Sequence, residues 1–149
     1  MAERILADGD SEWIAARAAN AISLVQYLLR LPTAPERLDP VLLDRAFRAW
    51  RHDGVGADVP AQAIVECLGS AFGEYLVSNL KATWLVVEDT LGTDLAVREP
   101  RQGLLTYPLA VVSKRLNSPP EELSFFRPIA DALQSNFPLR PVESSDEGA

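Results

Sequence analysis

The hydrophobic period of this chain changes once, near residue 83, and that change limits the fold more than any other feature. Up to Leu80 the apolar residues recur at spacings of three and four. From Thr83 onward they run together or alternate by two. A chain patterned in this way builds helices first and a sheet second, which is the α+β class.

Three helices are predicted before the break. Residues 11–31 place Ile14, Ala18, Ala21, Ile22, Val25, Leu28 and Leu29 on one stripe, with Asp10 or Ser11 as the cap and Pro32 just past the end. Asp39-Pro40 is a start signal, a capping carboxylate followed by proline at the first helical position. Leu42, Leu43, Ala46, Phe47 and Trp50 follow as its apolar stripe, and Gly54 ends it. Arg45, Arg48 and Arg51 flank that stripe and read as a solvated face. The third helix opens at Asp58 to Pro60 and runs to about Leu80, with Ile64, Leu68, Phe72, Leu76 and Leu80 four apart. Gly69 and Gly73 lie inside it. Each costs about 1 kcal/mol relative to alanine in a helix interior, so close approach of another element is expected to offset them.

After the break the pattern predicts a small three-stranded antiparallel sheet. The strands are Thr83 to Glu88, Asp94 to Arg98 and Gly103 to Tyr107, and the first two are joined by the turn sequence DTLGT. With Glu88 placed opposite Asp94, Val86 faces Ala96 and Trp84 faces Arg98. The opposite face then carries Leu85, Val87, Leu95 and Val97, and should pack on the helices. Helical spacing returns from Pro108 to Leu116. Ser118-Pro-Pro-Glu121 has the form of a capping box, and Pro128 is expected to kink or split the helix that follows. Residues 1–137 read as one domain and 138–149 as a disordered acidic tail.

Charge excludes one class of partner. The net charge is −7, and most of it sits at the ends. Residues 1–12 carry four acids against Arg4, and residues 138–149 carry three against Arg140. The body is left at −2. Nucleic-acid binding needs a basic face, so no nucleic acid is expected; the acidic ends read first as solubilising tails and only second as a surface for a basic protein partner. Cys67 and His52 are each the only residue of their type. No disulfide, metal site or cofactor is therefore expected. No apolar run approaches the roughly 20 residues that span a bilayer, and the start has no signal-peptide pattern. The expectation is a cytoplasmic protein without membrane attachment, monomeric or homodimeric.

The outward sheet face supplies the candidate binding residues. One end would hold Trp84 and Arg98, set for a cation–π contact. The other would hold Glu88, Asp94 and Tyr107, two facing carboxylates beside a phenol. Lys114 and Arg115, on the next helix, could neutralise the acids. No residue is assigned a catalytic role: there is no phosphate loop, no nucleophile elbow, and Cys67 reads as core.

The stretch FGEYL…WLVVEDTLGTDLAVR…YPLAVVSKRL resembles a bacterial family of small domains of unknown function. Its pattern is a helix leading into a W-x-V-V-E-D-x-x-G hairpin, then a Y-P-L…S-K-R segment. The resemblance covers about residues 64–134. It rests on Phe72, Gly73, Trp84, Glu88, Asp89, Gly92, Asp94, Arg98, Pro108, Lys114 and Arg115, and it implies no activity. The functional expectation is a non-enzymatic protein-binding module, inhibitor-like, immunity-like or an adaptor. The alternatives are a small enzyme or ligand-binding domain using the polar sheet face, and a structural subunit that self-associates through the first helix.

Overall fold

Helix gives way to sheet between Leu80 and Thr83, as the period predicts. The computed structural model describes residues 2–119, 122 and 124–135. In chain order the elements are β1 (Ala2–Ile5), α1 (Asp8–Leu29), α2 (Pro40–Arg51), α3 (Ala61–Leu80), β2 (Thr83–Asp89), β3 (Gly92–Arg98), β4 (Leu105–Thr106), α4 (Pro108–Ser113) and α5 (Phe126–Ser135). The predicted acidic tail lies outside the described residues.

The helices assemble around α3, which touches α1, α2, α4 and α5. Its apolar side chains Ile64, Leu68, Phe72 and Leu76 are buried, together with Val25 and Leu28 of α1 and Leu43 and Phe47 of α2. Aromatic contacts join the C-terminal helix to this core. Phe126 meets Phe72 at 4.9 Å between ring centroids, and Phe125 meets Phe47 edge-on at 5.1 Å. Cys67 belongs to the same core, and burial pushes its thiol pKa up.

The helix ends follow capping chemistry. Asp39 accepts the Leu42 N–H at 2.9 Å, as predicted. Helix α1 starts earlier than predicted. Asp10 is not its cap; it sits in the first turn and accepts the Ala7 N–H at 2.9 Å. Arg51 is not part of a solvated face. It donates to Leu116 O at 2.7 Å and Ser118 O at 3.2 Å, and so ties α2 to the segment after α4.

Pro128 neither kinks nor splits α5. It lies in the first turn, where the N–H that proline lacks has no helical partner in any case. The cap of this helix comes from far away. The buried Asp44 carboxylate of α2 accepts N–H bonds from Phe125 and Phe126, both at 2.8 Å, and from Arg127 at 3.0 Å. Glu121, the predicted partner of a local capping box, lies outside the described residues.

The sheet has four strands where the sequence predicts three, all antiparallel in the order β1-β2-β3-β4. The added strand is β1, paired as Glu3↔Val87 and Ile5↔Leu85. The β2–β3 register also differs from the prediction by one residue: Val87 pairs with Asp94, Glu88 with Thr93 and Trp84 with Val97. The reason is the turn. Asp89 and Gly92 close it as a pair, leaving only Thr90 and Leu91 between the strands. Asp89 accepts the Leu91 N–H through its side chain at 2.8 Å, and Gly92 takes a φ of 136°.

A one-residue slip exchanges the faces of a strand. Trp84 therefore turns toward the helices, where Leu95 and Val97 lie as predicted, and Leu85 and Val87 go to the other face with Asp94, Ala96 and Arg98. Trp84 explains one of the glycines. A Cβ on Gly73 would overlap its indole, and a Cβ on Gly69 would stand 2.9 Å from Leu109 Cα.

Candidate functional site

The register decides the fate of the predicted site, because its seven residues do not converge. Trp84 is buried on the helix-facing side, 8 % exposed. Glu88 shares that side of the sheet but is exposed, 4.0 Å from the Arg4 guanidinium. Asp94 and Arg98 lie on the opposite face. The facing-carboxylate pair is thus overturned, since Glu88 and Asp94 point to opposite sides.

The predicted Arg98–Trp84 contact is overturned for the same reason. Arg98 instead grips Glu3 of β1 through two N–H···O bonds of 2.7 Å. These bonds hold the Glu3 carboxyl below the usual carboxylate range and raise the guanidinium pKa. Tyr107 stands just before α4 and adds a smaller electrostatic pull on Arg98. Lys114 is exposed and makes no ion pair among the described residues. Arg115 lies over the Phe125 ring at 5.4 Å, away from the acids it was expected to neutralise. This face is built to hold strands together.

A different site opens on the helical side. A cleft of about 640 Å³ lies between α1, the loop before α2, and α3. Its apolar lining is Ala18 and Ile22 from α1, Leu38 from the loop and Ala71 from α3. Short side chains on two adjacent helices leave the space between them unfilled. The polar lining is Glu36, Arg37 and Asp39 on the loop, and Glu74, Tyr75, Ser78 and Asn79 along one side of α3.

Most of these polar groups are idle within the chain. Among the described residues, the Arg37 guanidinium, the Glu36 carboxylate, the Tyr75 hydroxyl and the Ser78 hydroxyl make no hydrogen bond or ion pair. Glu74 is different. Its Oε2 accepts the Trp84 indole N–H at 2.9 Å, and Trp84 is wedged against Gly73. The sheet thereby fixes a cleft carboxylate from behind. Trp84 is the one predicted site residue tied to the cleft, through its hydrogen bond rather than through its face.

The remaining polar clusters serve the fold. Glu99, buried at the end of β3, accepts backbone N–H bonds from Arg101 at 3.0 Å and from Gln102, and so shapes the turn into β4. Ser70 is fully buried with no partner for its hydroxyl among the described residues, and it does not line the cleft. Among the described residues no group of three His, Cys, Asp or Glu could hold a metal ion, and no helix is long and apolar enough to cross a membrane.

Residues 52–122 match the family described as a domain of unknown function, DUF3806. This overlaps the stretch of about 64–134 that carries the resemblance in sequence. The matched residues take in α3, the hairpin, β4 and α4, and leave out β1, α1, α2 and α5. No curated protein and no solved structure matches the chain. The cleft therefore has one wall inside the matched unit, on α3, and the other outside it.

Proposed function

We propose that the protein is a non-enzymatic binding module of the bacterial cytoplasm, and that it receives a protein partner in the cleft between α1 and α3. The observation that carries this reading is the cleft itself: about 640 Å³, apolar at its base, with rim groups that have no partner among the described residues. That size is typical of a site that accepts a ligand or an anchoring segment. Its chemistry favours binding over turnover. The cleft carries no histidine or cysteine, and no nucleophile is held beside a base.

Ala19 lines the cleft and is exposed, so Ala19→Trp should obstruct it without disturbing the core. Native mass spectrometry of complexes drawn gently from the source cell should show the wild-type chain with a partner and the variant without it. Recovery of free monomer alone, or equal recovery of complexes by both chains, would overturn the reading.

A further inference from the structure

The charges around the cleft are unbalanced in a way that specifies what enters it. Three carboxylates line it, Glu36, Asp39 and Glu74, against the single guanidinium of Arg37. Arg37 does not neutralise them, because it stands within ion-pair distance of none. Asp39 spends one oxygen on the Leu42 N–H, and Glu74 spends one on the Trp84 indole. Each retains an oxygen with no partner among the described residues, and Glu36 retains both.

We infer that the anchor seated in this cleft is a basic side chain of the partner, an arginine or lysine whose cationic head bonds Glu74 and is drawn in by the charge of Glu36 and Asp39 on the loop, while its alkyl stem lies along Ala18, Ile22 and Ala71. This rests on the docking reading above and goes further by naming the chemistry of the anchor. Such side chains combine an apolar stem with a charged tip, the same combination that the base and rim of the cleft present.

The other chemistries fit less well. An acidic anchor would meet three like charges with only the exposed Arg37 in its favour. A wholly apolar anchor would strip water from Glu74, Tyr75 and Ser78 and return no hydrogen bonds. A cation instead forms charge-assisted bonds to carboxylates already in place. Glu74 loses little freedom on binding, because the indole of Trp84 holds it from behind.

The same hydrogen bond supplies the readout. The chain has three tryptophans, hence three indole N–H resonances. The 15N-labelled full chain is titrated with Nα-acetyl-arginine methylamide and, separately, with the neutral isostere Nα-acetyl-citrulline methylamide and with Nα-acetyl-glutamate methylamide. The arginine probe should shift the Trp84 indole signal and the amides of residues 74–79, saturating in the millimolar range expected of so small a ligand. The citrulline and glutamate probes should leave them in place.

Glu36→Gln, on an exposed loop, should weaken arginine binding several-fold. Adding Glu74→Gln, which keeps an acceptor for the indole, should weaken it at least tenfold. Equal shifts from citrulline, shifts confined to other surfaces, or unchanged binding by the double variant would overturn the inference. The two readings fail separately. Complexes that vanish with Ala19→Trp while the arginine probe does not bind would leave the docking reading standing and remove the basic anchor. Arginine binding in the cleft without any protein complex would support cation recognition and overturn docking.

Discussion

Arg98 reaches from β3 across β2 to Glu3 on β1, and both of its terminal nitrogens bond the carboxylate at 2.7 Å. Two strands that do not pair with each other are thus clasped over the one between them. Strand β1 has few other side-chain attachments: its four residues are all exposed, and Arg4 ties it to Asp10 at 3.1 Å and to Glu88 at 4.0 Å.

Acid should therefore release β1 before the rest of the sheet. Glu3 is held below its ordinary 4.5 by the Arg98 hydrogen bonds. Asp10 is held below its ordinary 3.8 by the Ala7 N–H and then by Arg4. A carboxyl whose folded pKa is lowered contributes stability above its unfolded value and loses it as pH falls through the folded one. Protection of the β1 amides against hydrogen exchange, corrected for intrinsic rates, should hold above about pH 4.5 and decline below it. Arg98→Ala should produce the same loosening at neutral pH. Simultaneous loss of protection in β1 and in the β2–β3 hairpin would contradict the prediction.

Gly73→Ala should destabilise the protein even though alanine is the better helix former. The gain in propensity is about 1 kcal/mol, but the new methyl overlaps the Trp84 indole. Overpacking of this kind costs about 1–3 kcal/mol beyond any gain. In Gly73→Ala/Trp84→Phe the clashing ring edge is gone, so the double variant should lose less stability than the two single losses added together. Urea midpoints of all four chains measure the coupling, and strict additivity would show that the two residues do not touch.

Removing the Asp44 carboxylate should cost about 2–3 kcal/mol, because hydrogen bonds to a charged acceptor contribute about 1.5–3 kcal/mol and two buried donors and one part-buried donor lose theirs together. Asp44→Asn keeps one acceptor oxygen and should cost less. Chemical denaturation gives both values. A loss in Asp44→Ala below about half a kcal/mol would mean that α5 finds its N-terminal partners elsewhere.

Leu85→Ala and Trp84→Ala test the register directly. Leu85 is half-buried on the outer face and Trp84 is buried against α3. The tryptophan change should cost about 3–5 kcal/mol and the leucine change markedly less, near or below the lower end of the roughly 2–5 kcal/mol seen for buried leucines. The reverse order would restore the register in which Glu88 faces Asp94.

Legibility in the sequence followed the range of each interaction. Helix α2 announced itself, because Asp39 and Pro40 act on their own first turn. The hairpin was visible, but its register turned on whether Thr93 belonged to the loop or the strand, a choice made by the Asp89 side chain and the φ of Gly92. Strand β1 was invisible: four exposed residues, two of them charged, carry no alternation to read. The Asp44 cap joins residues more than eighty positions apart. The cleft was hidden for the same reason. Its lining comes from three separate segments, and none of them contains a motif.

The pairing of Ile5 with Leu85 closes a loop of about eighty residues. Chain entropy opposes so long a closure, whereas β2 and β3 meet across a two-residue turn. The hairpin therefore has the kinetic advantage, and β1, made earliest, is the strand used last. Until it docks, the outer edge of β2 stands open, with the apolar run from Leu85 to Val87 along it. That interval is when two copies of the chain are most exposed to pairing edge to edge. The clasp between Glu3 and Arg98 forms only once β1 is in place, and from then on it keeps that edge shut against the wrong strand.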